Sequence, residues 1–133
     1  VPPQDVTPPE DATNLKLERV LQSDGNYTVH ASWKETLNSA GDLANYNMYE
    51  SKNRGINYVG PAAIRSTVTS TTIANVPPGT LTVKLTASDR SGNESLGIEE
   101  MIILPETGAA MALFLSAGGA YAVARRRRKM RNA

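Results

Sequence analysis

The chain has 133 residues, no Cys, a single His and a formal net charge of +1. That length accommodates one domain of about 100 residues with extensions and excludes a multidomain enzyme within it. Without Cys there is no disulfide scaffold, no thiol catalysis and no Cys-ligated metal centre, and His30 alone cannot make a His-rich site. The near-neutral total hides two opposite parts. Up to Gly108, eight basic residues face all 13 acidic ones, a net of −5; beyond it lie six cations and no acid. The chain begins at Val1 without an initiator Met or an apolar leader, so it reads as a fragment or processed product.

Residues 1–13 hold four of the eight prolines. Repeated Pro disfavours helix and stiffens an extended backbone, so this segment is expected to be a linker entering a domain. Over residues 14–103 the apolar pattern has period two. Tyr27, Val29, Ala31 and Trp33 alternate with Thr28, His30, Ser32 and Lys34, and Leu81, Val83, Leu85 and Ala87 alternate with Thr82, Lys84, Thr86 and Ser88. The same alternation is expected at Leu96 and Ile98, with Ile102 further on. Turn formers separate these runs at residues 23–26, 38–42, 53–55, 77–79 and 89–93. About seven short strands, with no helical stripe of comparable length, predict an all-β, seven-stranded antiparallel β-sandwich; a small barrel is the alternative.

Several residues carry a resemblance. Trp33 ends an early strand, Tyr46-Asn47-Met48-Tyr49-Glu50 form the next, Val76-Pro77-Pro78-Gly79-Thr80-Leu81 lead into a third, and Asp89-Arg90-Ser91-Gly92-Asn93-Glu94-Ser95 follow it. Together they resemble a bacterial fibronectin type III domain, an immunoglobulin-like sandwich, over about 95 residues. The family usually places a Tyr where Leu81 stands. Its hydroxyl ties the strand corner to backbone. Leu81 lacks that hydroxyl, so the corner is expected to be held by packing alone.

The tail has three parts in order. Leu104-Pro105-Glu106-Thr107-Gly108 is followed by the uncharged run 109–124, expected to be an apolar helix, and then by a basic end, 125–133, with Arg125, Arg126, Arg127, Arg128, Lys129 and Arg131. This order, at the end of the sequence, resembles the cell-wall sorting signal of Gram-positive surface proteins. The resemblance implies that a sortase acylates its Cys with Thr107, releases Gly108 onward, and transfers Thr107 to an amine of a peptidoglycan precursor. Pro105 fixes φ and removes an amide donor, and Gly108 leaves the Thr107 carbonyl unobstructed. Residues 109–124 would make about 24 Å of helix at about 1.5 Å per residue, somewhat short of a hydrocarbon core of about 30 Å. Leu104, snorkelling Arg stems and local thinning are expected to extend the span, giving transient membrane insertion. The cations would hold their end in the cytoplasm and leave residues 104–108 outside.

Other features read as structural. The Arg run lies beside an apolar segment with no second basic surface, which argues against nucleic acid. Residues 109–124 as a buried core helix are disfavoured, since the sandwich supplies its own core. Trp33, Tyr46 and Tyr49 at alternating strand positions read as packing rather than as a sugar platform. Asp89, Asn93 and Glu94 offer oxygens within one loop but lack calcium-loop spacing. His30 has no obvious Ser, Asp or second His beside it, so no nucleophilic triad is supported. Asn26-Tyr27-Thr28 and Asn93-Glu94-Ser95 fit a glycosylation pattern by accident in a bacterial setting, and a cross-link from Lys16 or Lys84 to an Asn has no partner visible in the sequence.

The expected function is thus that of a spacer and wall anchor in a larger secreted, wall-attached protein. Neither a catalytic residue nor a metal or cofactor is expected. The alternative is an adhesive or carbohydrate-binding module, with a host protein or glycan met through the loops at Asn53 to Ile56 or Asp89 to Glu94, and an upstream enzyme such as a glycoside hydrolase stays open.

Overall fold

A computed structural model of the chain describes residues 4–106. Seven antiparallel strands form two sheets: β1 (Thr13–Leu21), β2 (Tyr27–Lys34) and β5 (Ser70–Val76) in the order β1-β2-β5, and β3 (Leu43–Ser51), β4 (Val59–Arg65), β6 (Gly79–Asp89) and β7 (Ile98–Leu104) in the order β4-β3-β6-β7. The sandwich is as the alternation predicts. Tyr27, Val29, Ala31 and Trp33 of β2 face Tyr46, Met48, Leu81, Val83, Leu85 and Ala87 of the opposing sheet, and all are buried. Each sheet removes one apolar face from water only by covering the other, so the pairing of layers is where the stabilisation lies. Trp33 meets Tyr46 edge to face, with centroids 5.5 Å apart, the arrangement favoured by the ring quadrupoles. The helix expected over 109–124 lies outside the described residues.

The structure adds three local particulars, the first of them a correction. Leu96, expected to continue the core alternation, lies outside β7 and is 93% exposed. The backbone turns at Gly97, at φ +97°, so the alternation restarts only at Ile98. The connection from β4 to β5 runs through Ser66-Thr67-Val68-Thr69, which contains no Gly, Pro, Asn or Asp; the chain reverses there through a Val68 N–H bond to the Arg65 carbonyl. Thr13 already belongs to β1, and residues 5–12 lie as an extended strap on the sandwich, with Pro9 and Ala12 buried. Thr36 Oγ1 donates to the Glu10 carbonyl, Asn93 Nδ2 to the Asp5 carbonyl, and Gly97 N–H to Asp11 Oδ1.

The strap meets the β2–β3 and β6–β7 loops at one pole, while β7 ends at the other, where Leu104 is paired with Gly79 at the start of β6. The chain therefore enters and leaves the sandwich at opposite ends. At about 3.3 Å per residue, β6 alone separates the poles by about 33 Å.

Candidate functional site

The C-terminal exit is built by four strands, β6, β7, β1 and β2. β7 pairs with β6 through Leu81↔Ile102, Thr80↔Ile103 and Gly79↔Leu104. Ile102 and Leu104 pack against the core from this edge strand, and Leu104 is 1% exposed. On the far side of β7, the Arg19 guanidinium of β1 donates to the Ile103 carbonyl at 2.9 Å. One residue beyond the strand, the buried Tyr27 donates its hydroxyl to the Pro105 carbonyl at 2.7 Å. Pro105 and Glu106 themselves are exposed.

This placement divides the five residues of the motif. Leu104 is the last core residue of the sandwich, Pro105 is tethered by its carbonyl, and Glu106 projects into solvent. Thr107 and Gly108 lie outside the described residues, as do Arg125, Arg126, Arg127, Arg128, Lys129 and Arg131. Leu104, the first residue of the motif, also closes β7, because Gly79 offers it a strand partner and the core has room for its side chain. A residue so held cannot also lengthen a membrane span while the sandwich is closed.

At the start of β6, Leu81 is wholly buried. Hydroxyl ties are made instead by two other tyrosines: Tyr27 at the exit, and Tyr46, whose buried oxygen accepts the Thr36 N–H at 3.1 Å. Their strands show the period-two pattern, but nothing in that pattern reveals which hydroxyl reaches a carbonyl 78 residues away.

The outer face of the four-stranded sheet carries a second constellation. Tyr49 and Tyr58 stand edge to face, and the Lys84 ammonium lies 4.8 Å and 4.9 Å from their ring centroids. Such placement stabilises the cation through the negative ring faces. Tyr49 donates to Glu94 and Tyr58 to Glu99. The bond to Glu94 and then burial push the Tyr49 phenol up to about 12; burial first, then Glu99, pushes that of Tyr58 to about 12. Both remain protonated donors at neutral pH. Trp33 and Tyr46 face the core while Tyr49 faces outward, so the three aromatics form no common platform. The Asn47 amide is engaged by Thr86 and Ser88, and Lys84 by the two rings.

Glu94 leaves the β6–β7 loop for this face, where it also accepts from Thr86. Asp89, Asn93 and Glu94 therefore do not converge on one point. Asp89 is joined instead by Asp5 of the strap and Asp42 of the β2–β3 loop, with one carboxylate oxygen of each within 4.8 Å of the others. Asp89 accepts from the Ser91 and Asn93 N–H groups and from Asn93 Nδ2, and the Asn93 side chain chiefly holds its carboxyl below the usual range. Asp42 is pushed up, first by desolvation and then by Asp5 and Asp89. The trio comes from positions spread over the chain and has no sequence spacing by which to find it. His30 is exposed, opposite Glu18 and Thr72 in the ladder.

Among solved structures, the third fibronectin III domain of the human KIAA0343 protein superposes with a TM-score of 0.60 at 13% identity, covering 78% of this chain and 88% of that one. The human collagen XX FN3 domain gives 0.55 at 17%, covering 77% and 97%. The fold is fibronectin type III-like. The Clostridium perfringens spore cortex lytic enzyme SleM also matches, with a TM-score of 0.55 at 22% identity over 72% of this chain, which spans only 28% of that enzyme. No protein-family model and no curated relative matches the sequence. At these identities the likeness establishes the fibronectin type III-like fold and nothing about activity.

Proposed function

We propose that the chain is a spacer and cell-wall anchoring region of a secreted surface protein, and that it is the substrate of a sortase. The observation carrying this reading is the order of the tail: the pentapeptide Leu104-Pro105-Glu106-Thr107-Gly108, an uncharged run over 109–124, and six cations after it. The in-line geometry supports the spacer role, because a module entered at one pole and left at the other adds its length to the chain.

In the proposed reaction the sortase thiolate attacks the Thr107 carbonyl carbon. The tetrahedral intermediate collapses with protonation of the Gly108 nitrogen, the amide bond breaks, and a thioester to Thr107 forms. The amine of a peptidoglycan precursor then attacks the thioester, loses its proton, and leaves Thr107 in a new amide with the thiol restored. The catalytic groups belong to the enzyme. The cations from Arg125 to Arg131 hold the uncharged run in the membrane with residues 104–108 outside until the cut is made.

Mass spectrometry of protein released from the wall by muralytic digestion tests the proposal. The expected C-terminal residue is Thr107 carrying a wall fragment, and Thr107→Ala should move the protein to membrane and medium. Wall-bound protein that retains Arg131 would overturn it.

The adhesive alternative gains no such support. The tyrosine rings of the outer face are already occupied by Lys84. The loop around Asn53 is braced internally through Ser51 and Asn57.

A further inference from the structure

We infer that the folded sandwich masks its own sorting motif, so that cleavage requires the end of β7 to peel from the sheet or precedes closure of the sandwich. This inference rests on the sortase reading above. A transpeptidase that selects Leu at the first position must contact that side chain, yet Leu104 is 1% exposed and packs in the core. It must also reach the backbone on either side of the cut bond. Here Leu104 is held by the Gly79 pairing, Pro105 by Tyr27 on its carbonyl, and the preceding Ile103 by Arg19 on its carbonyl.

Thr107 is two residues beyond the tethered Pro105, so its carbonyl can stray no more than about 7 Å along the chain from that anchor. An enzyme groove that enclosed Leu104 and Pro105 where they stand would overlap the sandwich itself. Withdrawing Leu104 lengthens the free segment and removes the overlap, and the two events therefore occur together.

Local opening at strand ends is the low-energy end of a protein's fluctuations. Opening here exposes one fully buried Leu side chain and releases two side-chain hydrogen bonds. The transfer of that side chain alone lowers the open population by about tenfold to a hundredfold. The masked motif is accordingly expected to react slower than a free one by at least this factor. Anchoring would then compete with folding: a chain that closes before it meets the enzyme is processed slowly.

The test uses the full chain in detergent micelles, a purified sortase that cleaves the free peptide Leu-Pro-Glu-Thr-Gly, and triglycine as the amine acceptor. One variant receives a flexible Gly/Ser segment ending in Leu-Pro between Pro105 and Glu106. This leaves Leu104 and Pro105 in the sandwich and places a complete pentapeptide on a tether. A second, Tyr27→Phe, removes only the bond to the Pro105 carbonyl. The tethered variant should be cleaved at least tenfold faster than the native chain, and Tyr27→Phe should fall between them. Equal rates for native and tethered chains would overturn the masking. If neither chain is cut by an enzyme active on the free peptide, the sortase reading fails and the masking falls with it.

Discussion

Replacing Leu104 by Ala asks whether the strand or the tail owns this residue. The side chain is 1% exposed, the backbone pairs with Gly79, and the neighbours are other core residues. Truncating a buried Leu typically costs about 2–5 kcal/mol, the lost transfer energy plus a cavity term. Leu104 ends its strand, so neighbouring groups can relax into part of the space, which places the expected loss at about 2–3 kcal/mol. For a domain of this size each kcal/mol corresponds to about 4–8 °C, so the melting temperature should fall by about 10–20 °C. Circular dichroism melting of a chain ended after Thr107 measures this, with Glu106→Ala as a matched control. Glu106 is exposed, and its removal should change stability by less than about 0.5 kcal/mol. If Leu104→Ala melts with the control, the residue is part of a loose tail, and both the exit geometry and the masking derived from it are wrong.

Two further outcomes follow from Gly97 in the β6–β7 loop and from the Asp5, Asp42 and Asp89 trio. Gly97→Ala would place a Cβ 2.8 Å from Thr86 Cγ2 and 3.0 Å from the Leu85 carbonyl, at φ +97°; a loss of about 1–3 kcal/mol is expected in urea unfolding, and an unchanged midpoint would contradict it. Asp42→Asn should stabilise the domain at neutral pH. The folded state raises the proton affinity of Asp42, so ionising it opposes folding, and the parent regains stability as pH falls through the raised pKa. The advantage of the variant should therefore shrink on acidification, and a pH-independent difference in denaturation midpoint would refute the assignment. Asp89 acts in the opposite sense: its depressed pKa gives stability above the ordinary carboxylate range that is lost as pH falls through the folded value.

Period-two alternation was sufficient to find β2 and β6, because each buries one face and shows the other to solvent or to polar neighbours. It was insufficient at Leu96. An apolar residue two positions before Ile98 fits the same template, but the backbone turns at Gly97 and leaves Leu96 in water. The turn at residues 66–69 was illegible for the converse reason, since it contains no Gly, Pro, Asn or Asp. Tyr49 illustrates a finer limit. Its place in a strand was evident, but its partnership with Lys84, Tyr58 and Glu94 depends on three other segments arriving on the same face.

The amino-acid sequence alone determined the two-layer sandwich, the aromatic character of its core and the order of pentapeptide, uncharged run and cations, because each is written in neighbouring residues. Only the tertiary structure decided that Leu104 is core, that Pro105 is tied to Tyr27, and that Asp5, Asp42 and Asp89 meet. A strand's end is set by whether the adjacent strand still offers a partner and a space. Contacts between residues about 80 positions apart leave no local trace, since the chain between them can close in many ways and packing selects one.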